Sequence, residues 1–266
     1  MMEIRPVSIE QLSVLKHAYM ARTTAPLDGM WLNGFVPQAD HYGLYQEDSL
    51  QGFCCVNQDG FVLQFYLDDV LVESTSAVFK SLFENALVSA SGAFASTAEP
   101  HYLSLCLDHF ASFEVNSLMY QLSDNQVLEG AASAGLKKMI SSDLGQAVSF
   151  AHDAIGAPKE WLSGYFANLI EREELFGVSI EGQLRATGEC RVSDPYLPNV
   201  ADIGVIVAKQ ERAKGLATLV LQDLVLIATQ GGFDAICSTE KNNIAAQKAI
   251  VRAGFVAGNR ILEFKQ

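Results

Sequence analysis

The stretch that most restricts the fold runs from Asp202 to Thr229. Asp202-Ile203-Gly204-Val205-Ile206-Val207 is apolar and β-branched like a buried strand, and from Gly215 to Thr229 the chain is apolar at helical spacing, broken on one side by Gln222 and Asp223. A strand therefore passes through the short basic turn Gln210-Glu211-Arg212-Ala213-Lys214-Gly215-Leu216-Ala217 into a helix. The first turn of a helix carries backbone N–H groups with no partner in the helix, and its dipole favours negative charge. Such a junction is an anion site, and a phosphate is the expected guest. Gly215 keeps a Cβ out of the way, Ala217 is nearly as small, and Arg212 adds a fixed positive charge.

The turn lacks both the Gly-Lys-Ser/Thr ending of a P-loop and the three glycines of a dinucleotide fold. Arg212, Gly215 and Ala217 instead fit Arg/Gln-x-x-Gly-x-Gly/Ala, with Val207 five residues before the arginine. In this the chain resembles the GNAT superfamily of N-acetyltransferases. A second block, Asn243, Ala246, Gly254 and Phe255, keeps the register of the family's Asn-x-x-Ala and Gly-Phe, while Ile250 stands where many members have a tyrosine.

The resemblance implies acetyl-CoA as cosubstrate. Backbone groups of Val205, Ile206 and Val207 would pair with its pantetheine arm, and Arg212, Ala213, Lys214, Gly215, Leu216 and Ala217 would hold its pyrophosphate, with Asn243 as a further contact. Asn243 is equally a helix cap by residue type. The family often uses the missing tyrosine as general acid for the departing thiolate, so Ile250 leaves the proton donor open. Tyr165 and Tyr196 are the nearest phenols, and neither sits at the motif position.

Acetyl transfer to an amine also needs a base, because a lysine-like amine of pKa about 10.4 costs roughly 4 to 5 kcal/mol to deprotonate at pH 7. Glu189 is the first candidate: alternation puts Thr187, Glu189 and Arg191 on one face of the strand beside the cofactor strand. Asp202 and Glu240 are the alternatives. Each has a plain structural reading: an ion pair of Glu189 with Arg191 or Arg185, a strand start at Asp202, a helix cap at Glu240. A backbone N–H of Val207 or Ile206 would serve the oxyanion, as the resemblance implies.

Charge is unevenly spread. The net charge is −13; residues 1–125 carry 4 Lys/Arg against 15 Asp/Glu, residues 126–266 carry 14 against 16, and between Lys209 and Arg252 the balance reverses to 6 basic against 4 acidic. An anionic cofactor finds its favourable stretch where the motif sits, and nucleic acid is not an expected partner. Five cysteines without a Cys-x-x-Cys pair read as reduced, buried thiols of a cytoplasmic protein, and the five histidines lack metal-ligand spacing. Neither a membrane span nor a secretory signal is expected.

Taken in order, the first half gives a helix from Ile9 to Met20, strands His41–Gln46, Gly52–Val56 and Phe61–Leu67, a helix Ser76–Ser89, a loop Ser91–Glu99, and strands Tyr102–Cys106 and Phe113–Gln121. The second half gives helices Asp143–Ala154 and Lys159–Arg172, strands Leu175–Ile180, Arg185–Val192 and Ala201–Val207, the helix from Ala213, a strand Phe233–Ser238, a helix Asn243–Ala253 and a strand Arg260–Phe264. The order repeats, which implies two tandem GNAT-like α/β (α+β) domains, each with a mixed, mostly antiparallel sheet flanked by helices. Residues 126–266 form the catalytic domain. Residues 1–125 form a degenerate companion, with Asp68-Asp69-Val70-Leu71-Val72-Glu73 and no glycine at its turn, which shapes the acceptor cleft or the domain interface.

The expected activity is transfer of acetyl to a primary amine of a small molecule or peptide by direct attack in a ternary complex. The acidic first half favours a cationic acceptor. The competing reading is a non-catalytic acyl-CoA-binding regulatory protein, and oligomeric state is open.

Overall fold

The computed structural model describes residues 2–68, 72–123, 133–192 and 199–265. Among them the chain divides into two compact units, one of residues 2–119 with 259–265 and one of residues 120–258. No helix among the described residues is long and apolar enough to cross a membrane.

In the first unit, β1 (Glu3–Pro6), β2 (Asp40–Gln46), β3 (Ser49–Val56) and β4 (Phe61–Leu67) form an antiparallel run. The turn from β3 to β4 is set by Asn57, whose side chain accepts from the Asp59 and Phe61 amides, and by Gly60 at φ 82°. Helix α1 (Ser13–Ala21) follows a 3-10 turn at Ile9–Leu12. Helix α2 (Val72–Glu84) carries the chain to β5 (Gly92–Ser96), which lies parallel to β4. Phe79 of α2 stacks edge-on against Phe65 and Tyr102, with centroids 5.1 and 5.9 Å apart. Each such fully buried side chain stabilises by about 1.5–3 kcal/mol.

Two expectations for this half fail. Tyr102–Cys106 is a short, largely apolar run that reads as a strand, but it belongs to helix α3 (Pro100–His109), started by Pro100 in its first turn, with Tyr102 and Cys106 buried at helical spacing. The loop expected over Ser91–Glu99 contains β5, whose small residues pack tightly: a Cβ on Gly92 would lie 2.6 Å from the Phe61 ring and 2.7 Å from the Phe264 carbonyl. After α3 comes β6 (Phe113–Leu122). Residues 69–71 of the glycine-free turn lie outside the described residues.

The second unit begins its sheet with β7 (Lys137–Lys138). Helices α4 (Leu144–Ile155) and α5 (Lys159–Glu171) follow, then β8 (Leu175–Ile180), β9 (Gln183–Val192) and β10 (Val200–Val207) as an antiparallel meander. Helix α6 (Leu216–Gln230) leads to β11 (Asp234–Glu240), parallel to β10, and then to α7 (Ile244–Arg252) and β12 (Phe255–Lys265). Helix α6 starts three residues later than expected, because Ala213 to Gly215 form the turn itself. From Asn259 on, β12 counts with the first unit, where Ile261–Lys265 pair antiparallel with β5. Both units repeat one order: three antiparallel strands, a helix, a parallel strand, a helix, a strand.

Candidate active site at the end of strand β10

Strands β10 and β11 part company. Their pairing runs from Val200↔Asp234 to Asp202↔Ile236 and stops there, although β10 continues to Val207 and β11 to Glu240. On its other edge β10 stays paired with β9 as far as Val207↔Ala186, and the Ala208 N–H donates to the Arg185 carbonyl at 2.9 Å. Backbone groups alternate between the two edges of a strand, so the N–H groups of Val205 and Val207 face the gap beside β11 while that of Ile206 faces β9. Side chains up to Ile203 are buried, and those from Gly204 to Val207 are only partly so.

At the mouth of this gap the chain makes a 3-10 turn at Lys209–Glu211. It then places Ala213 at φ 61° and Gly215 at φ 88°, both in the left-handed region. Alternation of this kind turns successive N–H groups toward one concavity. The amides of Ala213, Lys214, Gly215, Leu216 and Ala217 meet no acceptor among the described residues, and the first one satisfied is that of Thr218, which donates to the Gly215 carbonyl at 3.0 Å. A Cβ on Gly215 would meet nothing within 4 Å. The glycine is therefore required by its backbone angle, and the space in front of it is open.

The polar side chains of the turn are partly committed. The Arg212 guanidinium donates to the Ala154 carbonyl at 2.8 Å and to the Val207 carbonyl at 3.4 Å, and Lys214 is exposed and paired with Glu211 at 3.1 Å. Asn243 caps α7, accepting from the Ala246 amide at 3.1 Å. Ile250 is buried.

The candidate bases sit in different surroundings. Asp202 pairs across strands with Arg191, Gly204 with Glu189 and Ile206 with Thr187, which puts these six on one face of the sheet. There the Arg191 guanidinium bridges two carboxylates, 2.6 Å from Glu189 Oε2 and 2.8 Å from Asp202 Oδ2, all three nearly buried. The Tyr165 hydroxyl, projected from α5, donates to Glu189 Oε2 at 2.6 Å and accepts from Arg191 at 2.8 Å. Burial alone would lower the Arg191 guanidinium, but the Asp202 and Glu189 carboxylates outweigh it and hold it well above the usual range. Burial, aided by Glu189, pushes the Tyr165 phenol up. Two carboxylates against one guanidinium leave one negative charge in the cluster.

Glu189 differs from Asp202 in one respect: its Oε1 meets no partner among the described residues. Asp202 is only 2 % exposed. Glu240 is exposed at the far end of β11. Tyr196 lies outside the described residues. The sequence reading offered the Glu189–Arg191 ion pair, and the structure has it; what it did not foresee is that Tyr165 also holds Glu189.

The description Acetyltransferase (GNAT) domain matches residues 8–123, and Acetyltransferase (GNAT) family matches residues 146–255. An acetyltransferase of the GNAT family from Colwellia psychrerythraea shares 44% identity over 99% of both chains, with a TM-score of 0.94. The chain belongs to the GNAT family. It carries two GNAT domains in tandem and is an acyltransferase. Two more distant structures share the fold. A GCN5-related N-acetyltransferase from Sphaerobacter thermophilus has a TM-score of 0.67 at 12% identity, covering 99% of this chain and 95% of that one. A tandem GNAT protein from the clavulanic acid biosynthesis pathway has 0.64 at 12%, covering 99% and 98%. No functionally curated protein matches the chain by sequence. The glycine-containing GNAT turn lies in the second matched segment, with the parted strands and the Arg191 cluster.

Proposed function

We propose that the second GNAT domain transfers an acetyl group from acetyl-CoA to a primary amine of a small molecule or peptide by direct attack in a ternary complex. The observation that carries this reading is the run of five amides, Ala213 to Ala217, beside the gap between β10 and β11. Backbone donors at a helix start suit a diphosphate, and the open edge of β10 suits an extended amide-bearing arm. Bound acetyl-CoA supplies the acetyl thioester.

The chain's own groups fit the remaining tasks. The Val207 N–H, turned into the gap, would serve as donor to a carbonyl oxygen that gains charge; alternation favours it over Ile206. Glu189 is the favoured base: Oε2 is fixed by Tyr165 and Arg191, and Oε1 is left to take a proton directly or through water. Asp202, locked on Arg191, tunes that charge. Ile250, buried and apolar, offers no proton at the motif position, so a departing thiolate would leave as the anion or take its proton from water. The first domain, whose turn reads Asp68-Asp69-Val70-Leu71-Val72-Glu73, serves as a companion without a diphosphate site.

The test is amine-dependent release of CoA thiol across a panel of small amines and lysine peptides. Turnover with cationic acceptors is expected, faster at low salt than for neutral or anionic ones. Tight CoA binding with no thiol release from any amine would support the regulatory alternative instead.

A further inference from the structure

The first unit holds a small cavity that acyl transfer leaves unused. It measures about 30 Å³, room for about two or three water molecules at ~10–15 Å³ of such volume each. Leu63 of β4, Phe94 of β5 and Trp31 wall it, the two rings tilted by 51° with their centroids 5.1 Å apart. Trp31 and Leu32 are half-buried, so the cavity meets solvent on their side.

Two acids line this largely apolar space: Asp28, 5 % exposed, and Glu99, 8 % exposed. Asp28 Oδ1 accepts from the Trp31 amide at 3.0 Å and so starts the turn Trp31–Phe35, while its Oδ2 has no hydrogen-bond partner among the described residues. Glu99 accepts from the Ser96 amide at 2.7 Å and from the Tyr19 hydroxyl. Burial pushes its carboxyl up to about 8, as expected of an acid with no cation beside it. Every lysine, arginine and histidine of the chain lies among the described residues, and none forms an ion pair with either acid. Lys16, also buried, is committed to Gln64 Oε1 at 2.8 Å and to the Phe53 ring, whose centre lies 5.0 Å from its nitrogen.

A carboxylate oxygen this deep without a partner calls for a positive guest. Size and lining choose among cations. A quaternary ammonium, with four carbons around its nitrogen, exceeds the space, and a divalent metal needs several ligating side chains, of which the described residues form no group. A primary ammonium is about the size of one water, brings three N–H donors to the carboxyl oxygens and is attracted to the faces of aromatic rings. We propose that this cavity takes the primary ammonium end of an alkyl amine, its N–H groups on Asp28 and Glu99, its charge beside the rings of Trp31 and Phe94, and its chain leaving past Leu32. The site belongs to the first unit and the amides of Ala213–Ala217 to the second, so it stands or falls independently of the acyl-CoA reading.

The test titrates n-butylamine, 1-butanol and butanoate into the full chain by calorimetry, and reads Trp31 fluorescence in a Trp161→Phe background, where Trp31 is the remaining tryptophan. n-Butylamine should bind at this site and shift the Trp31 emission, with 1-butanol and butanoate weaker by about tenfold or more. Asp28→Asn keeps an oxygen for the Trp31 amide and should melt as the wild type does, yet weaken n-butylamine by about tenfold or more while CoA affinity stays the same. Trp31→Leu, which removes one ring and leaves both acids, should weaken n-butylamine as well. An absence of saturable n-butylamine binding, equal affinity for 1-butanol, an unmoved Trp31 signal, or wild-type n-butylamine affinity in Asp28→Asn would overturn the proposal.

Discussion

The Arg212 guanidinium donates to the backbone carbonyl of Ala154, 2.8 Å away and 58 residues earlier in the chain. Ala154 lies in the last turn of α4, where carbonyls lack helical partners and the dipole is negative. The motif arginine thus fastens the end of α4 to the end of β10 as well as lending charge to the turn. Arg212→Ala should therefore lower unfolding free energy by about 1 kcal/mol and weaken acetyl-CoA binding together. Arg212→Lys should keep part of the charge but lose the double contact. Denaturant titration alongside calorimetry checks this; a fall in affinity with unchanged stability would show that the Ala154 contact does not matter.

The buried cluster separates structure from chemistry. Arg191→Met would strand Glu189 and Asp202 without their counter-charge and should cost about 3–5 kcal/mol. Glu189→Gln keeps an oxygen for Arg191 and should fold, yet kcat should fall roughly 10² to 10⁴-fold with KM for acetyl-CoA little changed. Steady-state kinetics decide it: full activity in Glu189→Gln would move the base to Glu240 or Asp202.

Glu99 gives the first unit a pH signature. Its folded pKa, about 8, lies above the ordinary 4.5 because of burial. The folded state therefore holds the proton more tightly than the unfolded chain, and stability is undiminished below pH 4.5 and falls as pH rises from there through 8. Glu99→Gln lacks that loss. Melting curves from pH 5 to 9 should show the variant gaining on the wild type as pH rises, and parallel curves would contradict it.

Asn243→Ala should destabilise by about 1 kcal/mol through loss of the α7 cap, and Asn243→Asp should retain most of it. If Asn243 also touches the cofactor, acetyl-CoA affinity will drop in the aspartate variant even though the cap survives; calorimetry on that variant reads the difference.

Much of this was legible from residue order. β8 is where Leu175–Ile180 indicated, and the end of β10, the turn and α6 follow from the β-branched run, Gly215 and the helical spacing after it. The first half was harder to read. β5, Gly92-Ala93-Phe94-Ala95-Ser96, carries almost no β-branched bulk, and what makes it a strand is close packing against Phe61 and β12, a non-local cause. In α3, Tyr102-Leu103-Ser104-Leu105-Cys106 is a short apolar run of the kind that periodicity alone does not assign to strand or helix, and Pro100 starts it as a helix. At the site, sequence alternation placed Glu189 and Arg191 on one face, but Tyr165 reaches Glu189 from α5, 24 residues away, through tertiary packing alone.

The most direct measurement is an amide-resolved NMR titration of the full chain with acetyl-CoA. The account predicts that the largest shifts fall on the N–H groups of Ala213 to Ala217, with Val205 and Val207 next. Unmoved signals there, with the ligand's effect centred on the amides around Leu67 and Ser76 instead, would contradict it.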